Sequence, residues 1–167
     1  MSNSAPSSKH ELVLPNGLPS PDGSLRLGAC VWLYKKSGKN VSILVQKRAA
    51  GIHNGGFYDV SAGGHADGEE TPPVAAVREA REEIGVNLGL DDLEFLCAYR
   101  AADKIVYIYL ADWTGKSDDF TLDPGEVELV KWLPLADFAS FWQTDVKPSL
   151  REDAFHLALL KDRLGNL

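Results

Sequence analysis

Glu79, Glu82 and Glu83 stand close together in the stretch VREAREEIGV. A helix advances about 100° per residue, so the three carboxylates would share an arc of about 100° on one face. Like charges at i,i+4, as Glu79 and Glu83 would be, weaken a helix by a few tenths of a kcal/mol unless something neutralises them. A hard divalent cation such as Mg²⁺, which takes oxygen ligands and shares them with substrate phosphates, is the compensation such a patch invites. The competing reading is a solvated acidic face with Arg78, at i,i+4 to Glu82, as its counter-charge.

The neighbouring residues supply what a helix needs to carry that arc. Thr71 can cap, Pro72 can occupy the first turn, and Gly85 can end the helix. Ala76, Val77, Ala80 and Ile84 form an apolar stripe for packing on a sheet, and Arg81 on the opposite side should face solvent. Gly63, Gly64 and Gly68 ahead of the helix read as a tight, ligand-facing loop that exploits positive φ and close backbone approach.

The segment GHADGEETPPVAAVREAREEIGV resembles the Nudix box, G-x5-E-x7-R-E-U-x-E-E-x-G-U, at every fixed position. Gly64, Glu70, Arg78, Glu79, Glu82, Glu83 and Gly85 carry the invariant letters, with Ala80 and Val86 at the apolar ones. The resemblance implies an α/β/α sandwich with a mixed β-sheet over roughly residues 25 to 165. It also implies hydrolysis of a nucleoside diphosphate linked to another group X.

On the same basis Glu79, Glu82, Glu83 and the carbonyl of Gly63 would hold Mg²⁺, with Mn²⁺ a possible substitute. Glu70 and Arg78 would support those ligands without touching substrate: Arg78 orients carboxylates and Glu70 fixes the loop. Members of the family often use a further carboxylate from outside the box as base or extra ligand. Glu126 is the first candidate here and Glu128 the second, beside Glu82 and Glu83 as catalytic groups. Arg48, Tyr58 and His65 are candidates for substrate contact; Lys47, Tyr107 and Trp113 are weaker ones.

The stretch VQKRAAGIHNGGFYDVSAGGH is similar to the subgroup that includes isopentenyl-diphosphate isomerases. Those enzymes need a Cys immediately before the box glycine, where this chain has Gly63. Isomerase-like activity is therefore the alternative, together with a non-catalytic nucleotide-sensing domain.

Composition narrows the remaining classes. The 167 residues, 44% of them hydrophobic, suit one domain with a substantial core. A net charge of −7 argues against a nucleic-acid polymer or a membrane surface as partner, leaving a small-molecule diphosphate, a nucleotide by default. Cys30 and Cys97 sit in apolar runs and read as buried thiols. Residues 1–24, rich in Ser and Pro, read as a flexible segment without a targeting pattern, of which the part around Glu11 to Leu14 can still lie along the domain at 25–167; a cytoplasmic location fits, and family habit favours a homodimer.

Strands are expected at Leu25 to Tyr34 and Val41 to Lys47 as a hairpin joined by a polar connection, then at Phe57 to Ser61, Leu93 to Arg100, Lys104 to Trp113 and Glu126 to Trp132. In Lys104 to Trp113 both alternating faces are apolar, which predicts a strand covered on both sides. A short helical piece near Leu135 to Phe141 and a closing helix over Leu150 to Leu164, with Leu150, Ala154, Leu157, Ala158 and Leu164 on one face, complete the layout.

Overall fold

The computed structural model describes residues 10–13, 25–101, 104–146 and 154–167. In chain order the strands are β1 (His10–Val13), β2 (Arg26–Ser37), β3 (Asn40–Arg48), β4 (Tyr58–Asp59), β5 (Ala62–His65), β6 (Glu94–Ala101), β7 (Lys104–Asp112) and β8 (Val127–Pro134). The helices are α1 (Pro72–Ile84), α2 (Phe138–Thr144) and α3 (Ala154–Gly165).

All eight strands join one mixed sheet, with the path β1-β6-β7-β2-β3-β4 and with β5 on β2 and β8 on β3. The β2/β7 pair is parallel and the other ladders are antiparallel. Helix α1 covers one face of the sheet, while α2 and α3 cover the other. Two-sided cover explains β7: Ile105, Tyr107 and Tyr109 enter the α1 core, Val106, Ile108 and Leu110 the opposite one, and all six are buried.

The hairpin differs from its sequence reading. Strands β2 and β3 run on through the polar residues until Ser37 pairs with Asn40, leaving a two-residue turn at Gly38 and Lys39, with Gly38 at φ 59°. Polar side chains at an exposed strand end look like a loop, although the ladder continues through their backbones.

Gly63 and Gly64 are also strand residues, in β5, with neither among the positive-φ glycines. Crowding is why they are glycines. A Cβ on Gly63 would lie 2.7 Å from Cys30 Sγ and 2.9 Å from the Ala29 carbonyl, and one on Gly64 would run into the Glu79 carboxylate.

Gly85 ends α1 in the left-handed region at φ 70°, and its N–H and that of Val86 close the last carbonyls. Thr71 occupies the N-cap position without a side-chain cap bond. The buried stripe of α1 is Ala75, Ala76, Ala80, Glu83 and Ile84, with Val77 only half-buried. On α3, Leu157, Leu160 and Leu164 are buried while Ala158 is exposed, because the packed face is centred one residue from where Ala158 points. Leu150 lies outside the described residues.

The closing strand begins at Val127, and a 3-10 turn (Leu135–Asp137) leads into α2. Residues 10–13 pair along the β6 edge, with Glu11 opposite Arg100. Among the described residues no helix is long and apolar enough to cross a membrane.

Candidate functional site

Strand β2 changes partner midway, and the site lies where it does so. Residues 28–31 pair with β5, whereas residues 34–37 pair with β3. Between them β3 and β5 diverge, leaving backbone groups that cannot reach each other.

Two side chains bridge the gap. Ser61, fully buried, donates its hydroxyl to the Leu44 carbonyl at 2.6 Å and accepts the Leu33 N–H at 2.8 Å. Glu83 reaches in from α1 and accepts the Gln46 Nε2–H at 3.1 Å and the Gly63 N–H at 2.9 Å on the same oxygen. One glutamate thus ties the helix to both arms of the fork.

That position is electrostatically expensive. Glu83 is 3% exposed. Burial, opposed by the Gly63 N–H and reinforced by the charges of Glu79, Asp59 and Glu126, pushes its carboxyl up to about 8. Burial also raises the Glu79 carboxyl, against the pull of Arg78.

Arg78 organises the other acids. Its Nη1 donates to Glu79 Oε1 at 2.9 Å and Glu82 Oε2 at 3.0 Å. Its Nη2 reaches the His65 carbonyl at 2.8 Å and Glu70 Oε2 at 3.0 Å, and its Nε reaches Glu70 Oε1 at 3.1 Å. Held by Arg78, the Glu70 carboxyl sits below the usual range, and it also accepts the Asp67 N–H, fastening the loop ahead of α1.

A cavity of about 550 Å³ opens over the fork. Glu79, Glu83, Asp59 and Glu126 give it an acidic side, and Arg48, His53, His65 and Lys104 supply basic groups. Arg48 is engaged within the protein, donating from Nε to the His53 carbonyl at 3.0 Å and from Nη1 to Asp59 at 3.4 Å.

Glu82, Tyr58, Glu128, Lys47, Tyr107 and Trp113 lie away from this cavity's lining. Glu82 is half-exposed, because it sits about 60° round α1 from Glu79 on the side away from Glu83. Tyr58 turns its ring to Phe141, at 5.0 Å, and beneath the Lys131 ammonium. Glu128 pairs with Lys47 at 2.8 Å on the surface. Tyr107 is a core residue beside Phe95, and Trp113 packs on Phe120 with its Nε1–H donated to the Ser117 carbonyl.

Gly63 meets Glu83 through its N–H; Glu79, Glu83, Glu126, Arg48 and His65 all line the cavity. Sequence reasoning missed Gln46, Asp59, Ser61 and Lys104. Gln46 left a readable signal, a polar residue in register with inward-facing Leu44 inside an apolar strand.

The donor set suits a hard cation. Its carboxylates are oxygen ligands, burial and then their crowding raise the proton affinity of Glu83, and Gln46 Oε1 is buried without a hydrogen-bond partner. With Arg78 as the counter-charge of Glu79 and Glu82, among the described residues no three Asp, Glu, His or Cys side chains converge as a ready ligand cage.

The NUDIX domain family model matches residues 24–153. Among curated proteins the chain is similar to the isopentenyl-diphosphate Delta-isomerase of Photobacterium profundum, 33% identical over 79 residues, which are 47% of this chain and 43% of that protein. It is also similar to the peroxisomal coenzyme A diphosphatase ndx-8 of Caenorhabditis elegans, 28% identical over 134 residues, 78% of this chain and 57% of that one. The chain therefore spans about half the length of these two relatives. A solved structure of a C. elegans Ap4A hydrolase binary complex shares the fold with a TM-score of 0.62, at 22% identity over 86% of this chain and 100% of that one.

Proposed function

The chain belongs to the NUDIX domain family, and from that premise we propose that it hydrolyses a diphosphate linkage in a nucleoside diphosphate-X substrate, using water and a divalent cation. The observation that carries the reading is that Glu79, Glu83, Asp59 and Glu126 all line one cavity at the sheet fork. The coenzyme A diphosphatase relative supports the reaction class by sequence, and the Ap4A hydrolase structure shares the fold.

Glu79 and Glu83 would hold the cation, with Glu82 able to join if it leaves Arg78. Bound there, Mg²⁺ or Mn²⁺ supplies charge neutralisation of the phosphate oxygens and acidification of a water. The residues of the chain do the rest. Glu126, at the mouth of β8, accepts the proton of the attacking water on its carboxylate. Arg78 keeps Glu79 aimed, and the Gly63 N–H and Gln46 fix Glu83, so little reorganisation is left for the moment of reaction.

The alternative isomerase chemistry needs a thiol at position 63, and this chain has no room for any side chain there. Incubation with nucleoside triphosphates, nucleotide sugars, dinucleoside polyphosphates, NADH and coenzyme A, with and without Mg²⁺, tests the reading by chromatography of the products. Metal-dependent cleavage of at least one is expected. Inert nucleotides that still bind would identify a sensing domain, and conversion of isopentenyl diphosphate to its isomer would establish the alternative.

Replacing Glu83 with Gln keeps an acceptor for Gly63 but removes the charge. Turnover should fall on the order of 10²-fold while the thermal midpoint does not drop. Activity near that of the parent would remove Glu83 from the catalytic set.

A further inference from the structure

Resting on the diphosphate-cleaving reading, we propose that Lys104 receives a second anionic group of the substrate, carried on the nucleoside or on X and separate from the scissile diphosphate. The cavity has a wall remote from α1, formed by Gly28 and Cys30 of β2 and Lys104 and Val106 of β7. These residues have matching parity, since Gly28 pairs with Val106 and Arg26 with Lys104, so they line one face of the sheet.

Register sets the scale. One row crosses the sheet from His65 through Gly28 to Val106, and Lys104 lies one pleat further along β7. Strand β5, against which Glu79 rests, is two strand spacings from β7, on the order of 10 Å. An anion drawn to the β7 end is a different group from the one lodged at the carboxylates.

Charge accounting singles out the lysine. Arg48 is committed to Asp59 and the His53 carbonyl, and Arg78 to three glutamates and the His65 carbonyl. Lys104 lines the same cavity half-buried, and among the described residues it makes no ion pair and no side-chain hydrogen bond. A lysine that lines the cavity with no partner leaves its ammonium available for a charge-assisted contact with an incoming anion.

Gly28 keeps the way open between the two ends. A Cβ there would already touch the Gly64 carbonyl and Val106 Cγ2, each at 3.6 Å, so a larger side chain would narrow the passage. The substrate class this implies is a diphosphate ester with an additional phosphomonoester or carboxylate at one end.

Ligand pairs that differ by one phosphomonoester, NADPH against NADH and coenzyme A against its dephospho form, provide the test. Affinities would be measured by calorimetry with Mg²⁺ in the Glu83→Gln background, where the ligand survives the titration. At least one phosphorylated member should bind about 10-fold tighter than its partner, as expected for one charge-assisted contact. Adding Lys104→Met should erase that preference while leaving the unphosphorylated member within about twofold, and Lys104→Arg should preserve it. No preference in either pair, or a preference that survives Lys104→Met, overturns the proposal. A Lys104-dependent preference in a protein that cleaves nothing would overturn the hydrolase reading and leave the anion site standing; cleavage without the preference would do the reverse.

Discussion

The two faces of the sheet are built from different materials. Under α1 the contacts are small: Ala75, Ala76 and Ala80 of the helix meet Ala29, Ala62, Val31 and Leu33 of the strands. Under α2 and α3 they are large: Trp32, Phe138, Trp142 and Tyr99 pack with Leu157, Leu160 and Leu164, and the Trp32 and Phe138 rings meet edge-on at 5.8 Å. Alanines let the α1 backbone approach closely, so that Glu79 touches Gly64 and Glu83 reaches the fork. Aromatic rings bury more area per residue but set a wider spacing. One face is built for placing charges and the other for stability.

The largest expected effect lies on the aromatic face. Phe138→Ala should cost about 3–5 kcal/mol in denaturant unfolding, while kcat at a temperature where the variant stays folded remains within about twofold. A parallel loss of kcat would erase the division between the faces. Ala76→Leu overpacks the other face, at a cost of about 1–3 kcal/mol. Here kcat should fall by more than about 10-fold, because lifting α1 displaces Glu79 and Glu83 together.

A pH series separates the faces without altering packing. Glu83 has an ordinary carboxyl value of 4.5 when unfolded and about 8 in the fold. Between those values the folded chain keeps a proton that the unfolded chain has released, so stability without metal should fall as pH rises from 4.5 towards 8 and level off above it. Thermal melts of Glu83→Gln should lose this slope, and added Mg²⁺ should oppose it in the parent. A slope unchanged by Glu83→Gln would place the buried proton elsewhere. The smallest effect belongs to neither face: Glu128→Ala removes an exposed pair with Lys47, and should change stability by less than about 1 kcal/mol and leave turnover as it was.

Local patterns were readable where one element supplies both the signal and its use. The glutamates of α1, its left-handed end at Gly85 and the two apolar faces of β7 are periodicities within a single segment. The positions that escaped depend on partners distant in the chain. Gly63 is a glycine because of Cys30, and Ser61 matters because Leu33 and Leu44 diverge around it. Lys104 read as an ordinary strand start, since only the β2/β7 register brings it to the cavity. Reading Gly63 and Gly64 as a tight loop with positive φ took a packing requirement for a conformational one.

The contact between positions 30 and 63 also dictates the order in which this scaffold could be retooled. Anyone grafting a nucleophile at 63 would find the Cys30 sulfur 2.7 Å from the first new carbon and, after trimming that residue, the Ala29 carbonyl still 2.9 Å away. Neither single exchange is viable at 63 until the path of β2 itself has been redrawn, so new chemistry at that position has to begin in its neighbour's backbone.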